Sequence, residues 1–233
     1  MKQSVKWAFG LWLCCASTGF AESQQGVVVE LYTSQGCSSC PPADDHFASF
    51  VQTPGVIALA LHVDYWDYIG WTDTFASPKY TKRQKAYAHA EGSKMIYTPQ
   101  VIVNGTERVV GNQAASVESA IKQSVALTSP VTLTLVRQGD KVVIHAEARQ
   151  PLRDGTRIQL VRYTPEKTVQ IERGENAGRA VTYHNIVTSW EDIGAWTGDQ
   201  PLDMSTKAVG GAPIVVIIQT EGPSTILAAA RIE

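Results

Sequence analysis

The chain has 233 residues, 44% apolar and 18% charged, with 20 Lys and Arg against 22 Asp and Glu for a formal charge of −2. That balance excludes a disordered chain and argues against the basic footprint of a nucleic-acid binder. The length allows one large domain or two small ones, each able to bury a core without a dense set of disulfides.

Lys2 and Lys6 precede an apolar stretch over residues 7–16, and the small residues Gly19 and Ala21 follow. This is the order of a secretory leader, residues 1–21, with cleavage expected after Ala21 and a periplasmic or secreted location. The stretch is roughly ten residues, short of the ~20 that span a bilayer. Bulky Trp12 and Leu13 before Cys14 argue against a lipoprotein signal. Cys14 and Cys15 leave with such a leader, so Cys37 and Cys40 remain as one pair in an oxidising compartment. A loop that small removes little unfolded-state entropy, so stapling the fold is not its purpose.

Residues 26–32 are an apolar run interrupted by Glu30 and followed by Thr33, Ser34, Gln35 and Gly36, which reads as a buried strand ending in a loop. Cys37-Ser38-Ser39-Cys40-Pro41-Pro42 opens a stretch with Ala43, Phe47, Phe50 and Val51 at helical spacing, stopped by Thr53-Pro54-Gly55. A second apolar run over 56–63 completes strand, helix, strand, the minimum for a parallel crossover. After the aromatic segment of residues 65–71, Ser77-Pro78 marks a helix start, and Tyr80, Gln84, Tyr87 and Ala88 continue it to Gly92. Asn104-Gly105 between Val101-Ile102-Val103 and Val109-Val110 predicts a hairpin. A last helix is expected with Asn112 as its cap and Val117, Ala120, Ile121 and Val125 on one face.

From Val131 the texture changes to alternation, with Val131, Leu133 and Leu135, a turn at Gln138-Gly139-Asp140, then Val142, Ile144 and Ala146. Apolar runs at 158–163, 168–171, 181–187, 214–219 and 226–232 bring the total to about seven short strands. The expected organisation is an α/β domain over 26–127 followed by an all-β, sandwich-like domain over 130–233.

A cysteine at the mouth of a helix that follows a buried strand meets the partial positive charge of unpaired amides, which favours thiolate over thiol. Cys37 is therefore the expected nucleophile, and Cys40, about one turn further in, the thiol that resolves a mixed disulfide. Pro41 and Pro42 lack amide donors, so regular helical bonding can begin only at Ala43, and Asp44 and Asp45 add negative charge. Both features weaken the thiolate stabilisation. Two other readings stay open: an inert disulfide, and copper(I) held by the two thiolates with His62. Zinc would need about two more ligands, which His62, Asp64 and His46 would have to supply by proximity in the fold.

Residues 27–51, together with Tyr97-Thr98-Pro99-Gln100-Val101, resemble the thioredoxin superfamily. The resemblance implies a thioredoxin-like domain over 26–127. It also implies a cis Pro99 set against the cysteine pair, with Thr98 pairing its backbone with substrate peptides. Glu30 then corresponds to the superfamily's buried proton acceptor. The whole pattern, including Tyr32 to Pro42 and the β-rich tail, is also similar to a family of secreted bacterial proteins described only as a domain of unknown function.

His62-Val63-Asp64-Tyr65-Trp66-Asp67 falls at the carboxyl end of the second strand, where ligand clefts of α/β sheets lie, so Asp64, Tyr65 and Trp66 are candidate substrate contacts. Packing of the aromatic rings over the sheet is the plainer explanation. The charged glycine loop of residues 172–179 either docks on the first domain or stands solvated. The expectation is a thiol-disulfide oxidoreductase exchanging with a protein thiol or disulfide substrate and with a redox partner in the membrane. It needs no metal and no dissociable cofactor.

Overall fold

The computed structural model describes residues 23–152 and 155–233, so the expected leader, including Cys14, Cys15 and Ala21, lies outside the described residues. The first half contains β1 (Gln24–Gln25), β2 (Val27–Thr33), α1 (Pro41–Val51), β3 (Val56–His62), α2 (Pro78–Ala90), β4 (Gln100–Val103), β5 (Glu107–Val110) and α3 (Ala114–Val125). The second half is β6 (Val131–Gln138), β7 (Lys141–Ala148), β8 (Thr156–Gln170), β9 (Ala180–Trp196), β10 (Leu202–Lys207), β11 (Ile214–Thr220) and β12 (Ile226–Ile232). No described helix is long and apolar enough to cross a membrane.

Local signals act where the residues place them. Ser77 Oγ accepts the Lys79 N–H at 3.3 Å and caps α2, with Pro78 in its first turn. Asn104 and Gly105 take positive φ between β4 and β5. The cap of α3 is Gln113 rather than Asn112.

The strands do not form an α/β thioredoxin-like domain followed by a β-sandwich, and that expectation is corrected. A mixed nine-stranded sheet runs in the order β1-β12-β11-β8-β9-β3-β2-β4-β5, and β10-β7-β6 form a second sheet. The decisive junction is the parallel pairing of β9 with β3, where Ala60 lies opposite Ile186. Asn185, at positive φ, strengthens it by donating its side-chain N–H to Ala58 O at 2.9 Å. The outer edge of β3 is thereby covered by a strand from the other half of the chain, which removes an exposed edge. Runs that read as separate short strands at 158–163 and 168–171 are one strand, β8, and β9 continues through Trp196.

Side-chain alternation sorts the core into layers. On one face of β2 and β3, Val29, Leu31, Ala58 and Ala60 pack against Ala43, Phe47 and Phe50 of α1 and Val117 and Ile121 of α3. On the other, Val28, Tyr32, Leu59 and Leu61 pack with Tyr80 and Tyr87 of α2 and with Val161, Val187, Val215 and Ile217. β11 is buried on both faces, because Ile214, Val216 and Ile218 turn to the three-stranded sheet. Each such fully buried side chain contributes about 1.5–3 kcal/mol.

Candidate functional site

Cys37 and Cys40 form a disulfide at the start of α1, immediately past the loop that leaves β2. The missing amides of Pro41 and Pro42 have the expected effect, since Ala43 N–H and Asp44 N–H are the first to bond back, both to Cys40 O, at 2.8 and 3.1 Å. The two cysteines are only 1% and 0% exposed, while Ser38 and Ser39 between them face solvent.

Thr98 and Pro99 lie beside this turn, joined by a cis peptide. Ser39 Oγ is 3.5 Å from both Cys37 Sγ and Thr98 O. Gly111 donates its N–H to Pro99 O at 2.8 Å, and a Cβ there would stand 2.9 Å from Pro99 Cβ, so only glycine permits this approach. Trp66 donates its indole N–H to Thr98 Oγ1 at 2.7 Å and packs on the backbone at Gly36. Of the candidate contacts, Trp66 therefore reaches the disulfide region. Asp64 instead accepts the Thr81 hydroxyl at 2.5 Å, and Tyr65 donates to Gln84 at 3.3 Å, so both tie their loop to α2.

Glu30 lies elsewhere. With Val28 and Tyr32 it points to the face opposite α1, fully buried. There it accepts Arg83 Nε and Nη2 at 2.7 and 2.8 Å, and the hydroxyls of Tyr32 and Tyr87 at 2.8 and 2.7 Å. Burial disfavours the Arg83 cation, but the Glu30 carboxylate outweighs that and holds the guanidinium charged. Arg83 also stacks on Trp190, 3.8 Å from the ring centroid. The pair binds α2 to the sheet and has no contact with the disulfide.

The groups beneath the cysteine turn are others. Asp44 is buried on the inner side of α1, and desolvation pushes its carboxyl up to about 7 while His62 and Thr33 pull it down. His62, the last residue of β3, has Nδ1 2.7 Å from Asp73 Oδ2. The same Asp73 oxygen accepts Gln35 N–H at 2.8 Å, and Oδ1 accepts Phe75 N–H at 2.8 Å, so the carboxylate is acceptor throughout and Nδ1 carries the proton. Thr33 Oγ1 and His62 Nε2 are buried with no hydrogen-bond partner.

The glycine loop between β8 and β9 docks on this site. Asn176, at its tip, donates its amide to Gln35 O and Cys37 O, 2.9 Å each. Trp71, from the aromatic segment, donates to Gln35 Oε1 at 2.8 Å. Asn176 and Asp73 carry no motif, because they meet the cysteine loop only through the β9–β3 pairing and the fold of the 63–77 loop. For Asp44, a polar residue on the inner face of an amphipathic helix was the available signal. Among the described residues, no group of three or more His, Cys, Asp or Glu is arranged to hold a metal ion.

A buried disulfide at a helix mouth, set in a mixed β-sheet and latched by a distant hairpin, defines the class of site. The chain belongs to a family described as protein of unknown function DUF1223, whose model matches residues 28–219. A crystal structure of a protein from Agrobacterium tumefaciens is similar, with 32% identity and a TM-score of 0.77, covering 88% of this chain and 93% of that one. HBP35 of Porphyromonas gingivalis shares the fold, with a TM-score of 0.66 at 12% identity over 89% of this chain and 74% of that one. No curated protein matches the chain.

Proposed function

We propose that the protein is a secreted or periplasmic thiol-disulfide oxidoreductase acting on protein thiols or disulfides. The observation that carries this reading is the Cys37–Cys40 disulfide at the first turn of α1, directly after β2, with Thr98 and Pro99 beside it. This local unit is similar to the redox centre of the thioredoxin superfamily, although the sheet around it is a different one. A partner thiolate attacks Cys37 Sγ, the Cys37–Cys40 bond breaks, and Cys40 leaves as a thiolate; a second partner thiol then displaces Cys37 and departs as a disulfide. The two electrons pass from partner to protein, so the partner is oxidised, and the reverse sequence reduces a partner disulfide. Thr98 offers its backbone to an extended peptide, and Trp66 forms the adjoining wall.

Burial of both cysteines beneath Asn176 favours a second reading, a structural disulfide in a partner-binding module. Copper(I) handling gains no support, since among the described residues no group of three or more His, Cys, Asp or Glu is arranged to hold a metal ion. Trapping separates the two readings. In the exchange reading Cys40→Ser leaves Cys37 to attack an unfolded substrate protein whose single thiol is capped as a thionitrobenzoate disulfide, forming a stable mixed disulfide as thionitrobenzoate leaves, and Cys37→Ser does not. Equal, negligible trapping by both variants contradicts exchange.

A further inference from the structure

Three ionisable side chains from three elements are sealed beneath the cysteine turn, with Asp44, His62 and Asp73 at most 4% exposed. Asp44 follows Cys40 by four residues, and its N–H bonds Cys40 O at 3.1 Å, so its carboxyl and the Cys40 sulfur share one side of the first helical turn. His62 is fixed through Nδ1 by Asp73 and by edge contacts with Phe75 and Tyr183, centroids 5.2 and 4.8 Å away. Only its Nε2 is unspent. The groups facing Asp44 are Thr33 from β2, His62 from β3, Asp73 from the following loop, Tyr183 from β9 and Asp45 from its own helix. A carboxyl near an imidazole with a free ring nitrogen, shut away from water, is a site for one mobile proton. Glu30, the other buried acid of this region, is spent on Arg83 on the opposite face.

We infer that Asp44, with His62 held in place by Asp73, is the internal proton store for the Cys40 sulfur. This rests on the exchange reading above. When a mixed disulfide on Cys37 is resolved, the Cys40 thiol gives its proton to the Asp44 carboxylate. The Cys40 thiolate then attacks Cys37 Sγ, the bond from Cys37 to the partner breaks, and the partner leaves as a thiolate that takes a proton from solvent. In reduction the flow reverses: Cys40 leaves as a thiolate and takes the proton of neutral Asp44. Burial places the Asp44 carboxyl at about 7, so both of its forms are populated at neutral pH.

The test is the rate of mixed-disulfide resolution against pH, measured on the dithiol protein with oxidised glutathione and acid-quenched thiol trapping. Wild type is compared with Asp44→Asn and with Asp45→Asn, an exposed neighbour that makes the same change of charge. Wild type and Asp45→Asn should share a limb that rises through about pH 7; Asp44→Asn should lack it and be slower by roughly 10- to 100-fold at pH 8. His62→Gln, which removes the group that pulls the Asp44 carboxyl down, should move the limb to higher pH. Asp44→Asn and Asp45→Asn profiles that coincide would overturn the inference while leaving exchange intact. A wild-type protein that exchanges at no pH overturns both.

Discussion

Asn176 Nδ2 lies 2.9 Å from the carbonyl oxygen of Cys37, a bond between residues 139 positions apart that closes the β8–β9 hairpin over the cysteine turn. The same amide reaches Gln35 O, so one side chain satisfies two carbonyls of the loop that leads to the disulfide. The hairpin is thereby part of the site, and its removal has consequences for both access and stability.

Asn176→Ala should cost about 1–3 kcal/mol, because two buried carbonyl groups lose their donor. It should also speed reduction of the disulfide by dithiothreitol, since the strap over Cys37 is released. Urea unfolding and stopped thiol trapping on the same variant check both effects. Slower or unchanged reduction would show that the hairpin does not control access.

Glu30→Gln removes one partner of a buried ion pair and leaves the Arg83 charge uncompensated, so a loss of about 3–5 kcal/mol is expected. The pH profile of exchange should keep its shape, because Glu30 faces away from α1. A profile that lost its neutral limb in this variant would restore Glu30 as the proton acceptor.

Asp44 gives stability a distinct pH dependence. Its folded carboxyl titrates at about 7 against an ordinary value of 3.8, so between these values the folded chain binds the proton that the unfolded chain has released. The stability held by the neutral carboxyl is complete below about pH 4 and is lost as pH rises to about 7. Asp44→Asn should therefore flatten this fall and stabilise the protein above pH 7 by on the order of 1–3 kcal/mol. Denaturant midpoints at several pH values measure it, and a variant less stable than wild type at pH 8 would contradict it.

Much of the first half was readable in the sequence because its determinants are local. The valine run, the prolines after Cys40, Ser77-Pro78 and Asn104-Gly105 each act within a few residues of themselves. Strand order depends on contacts between distant residues. Ala60 and Ile186 carry no mark of their pairing, and the apolar run of β11 looks the same whether its second face meets a helix or a sheet. The site divides the same way. Cys37, Cys40 and Pro99 announce themselves by motif, whereas Asp73 and Asn176 gain their roles only from the folded loops. Glu30 was matched by its distance from the cysteines, but strand alternation turns it to the opposite face.

The reduction potential of the Cys37/Cys40 couple tests the exchange reading most directly. The protein would be equilibrated with glutathione or dithiothreitol buffers and its free thiols trapped. A value between about −120 and −270 mV, reached within minutes, is expected for an exchange catalyst. A value below about −300 mV with slow equilibration would contradict that role and make the disulfide a structural one.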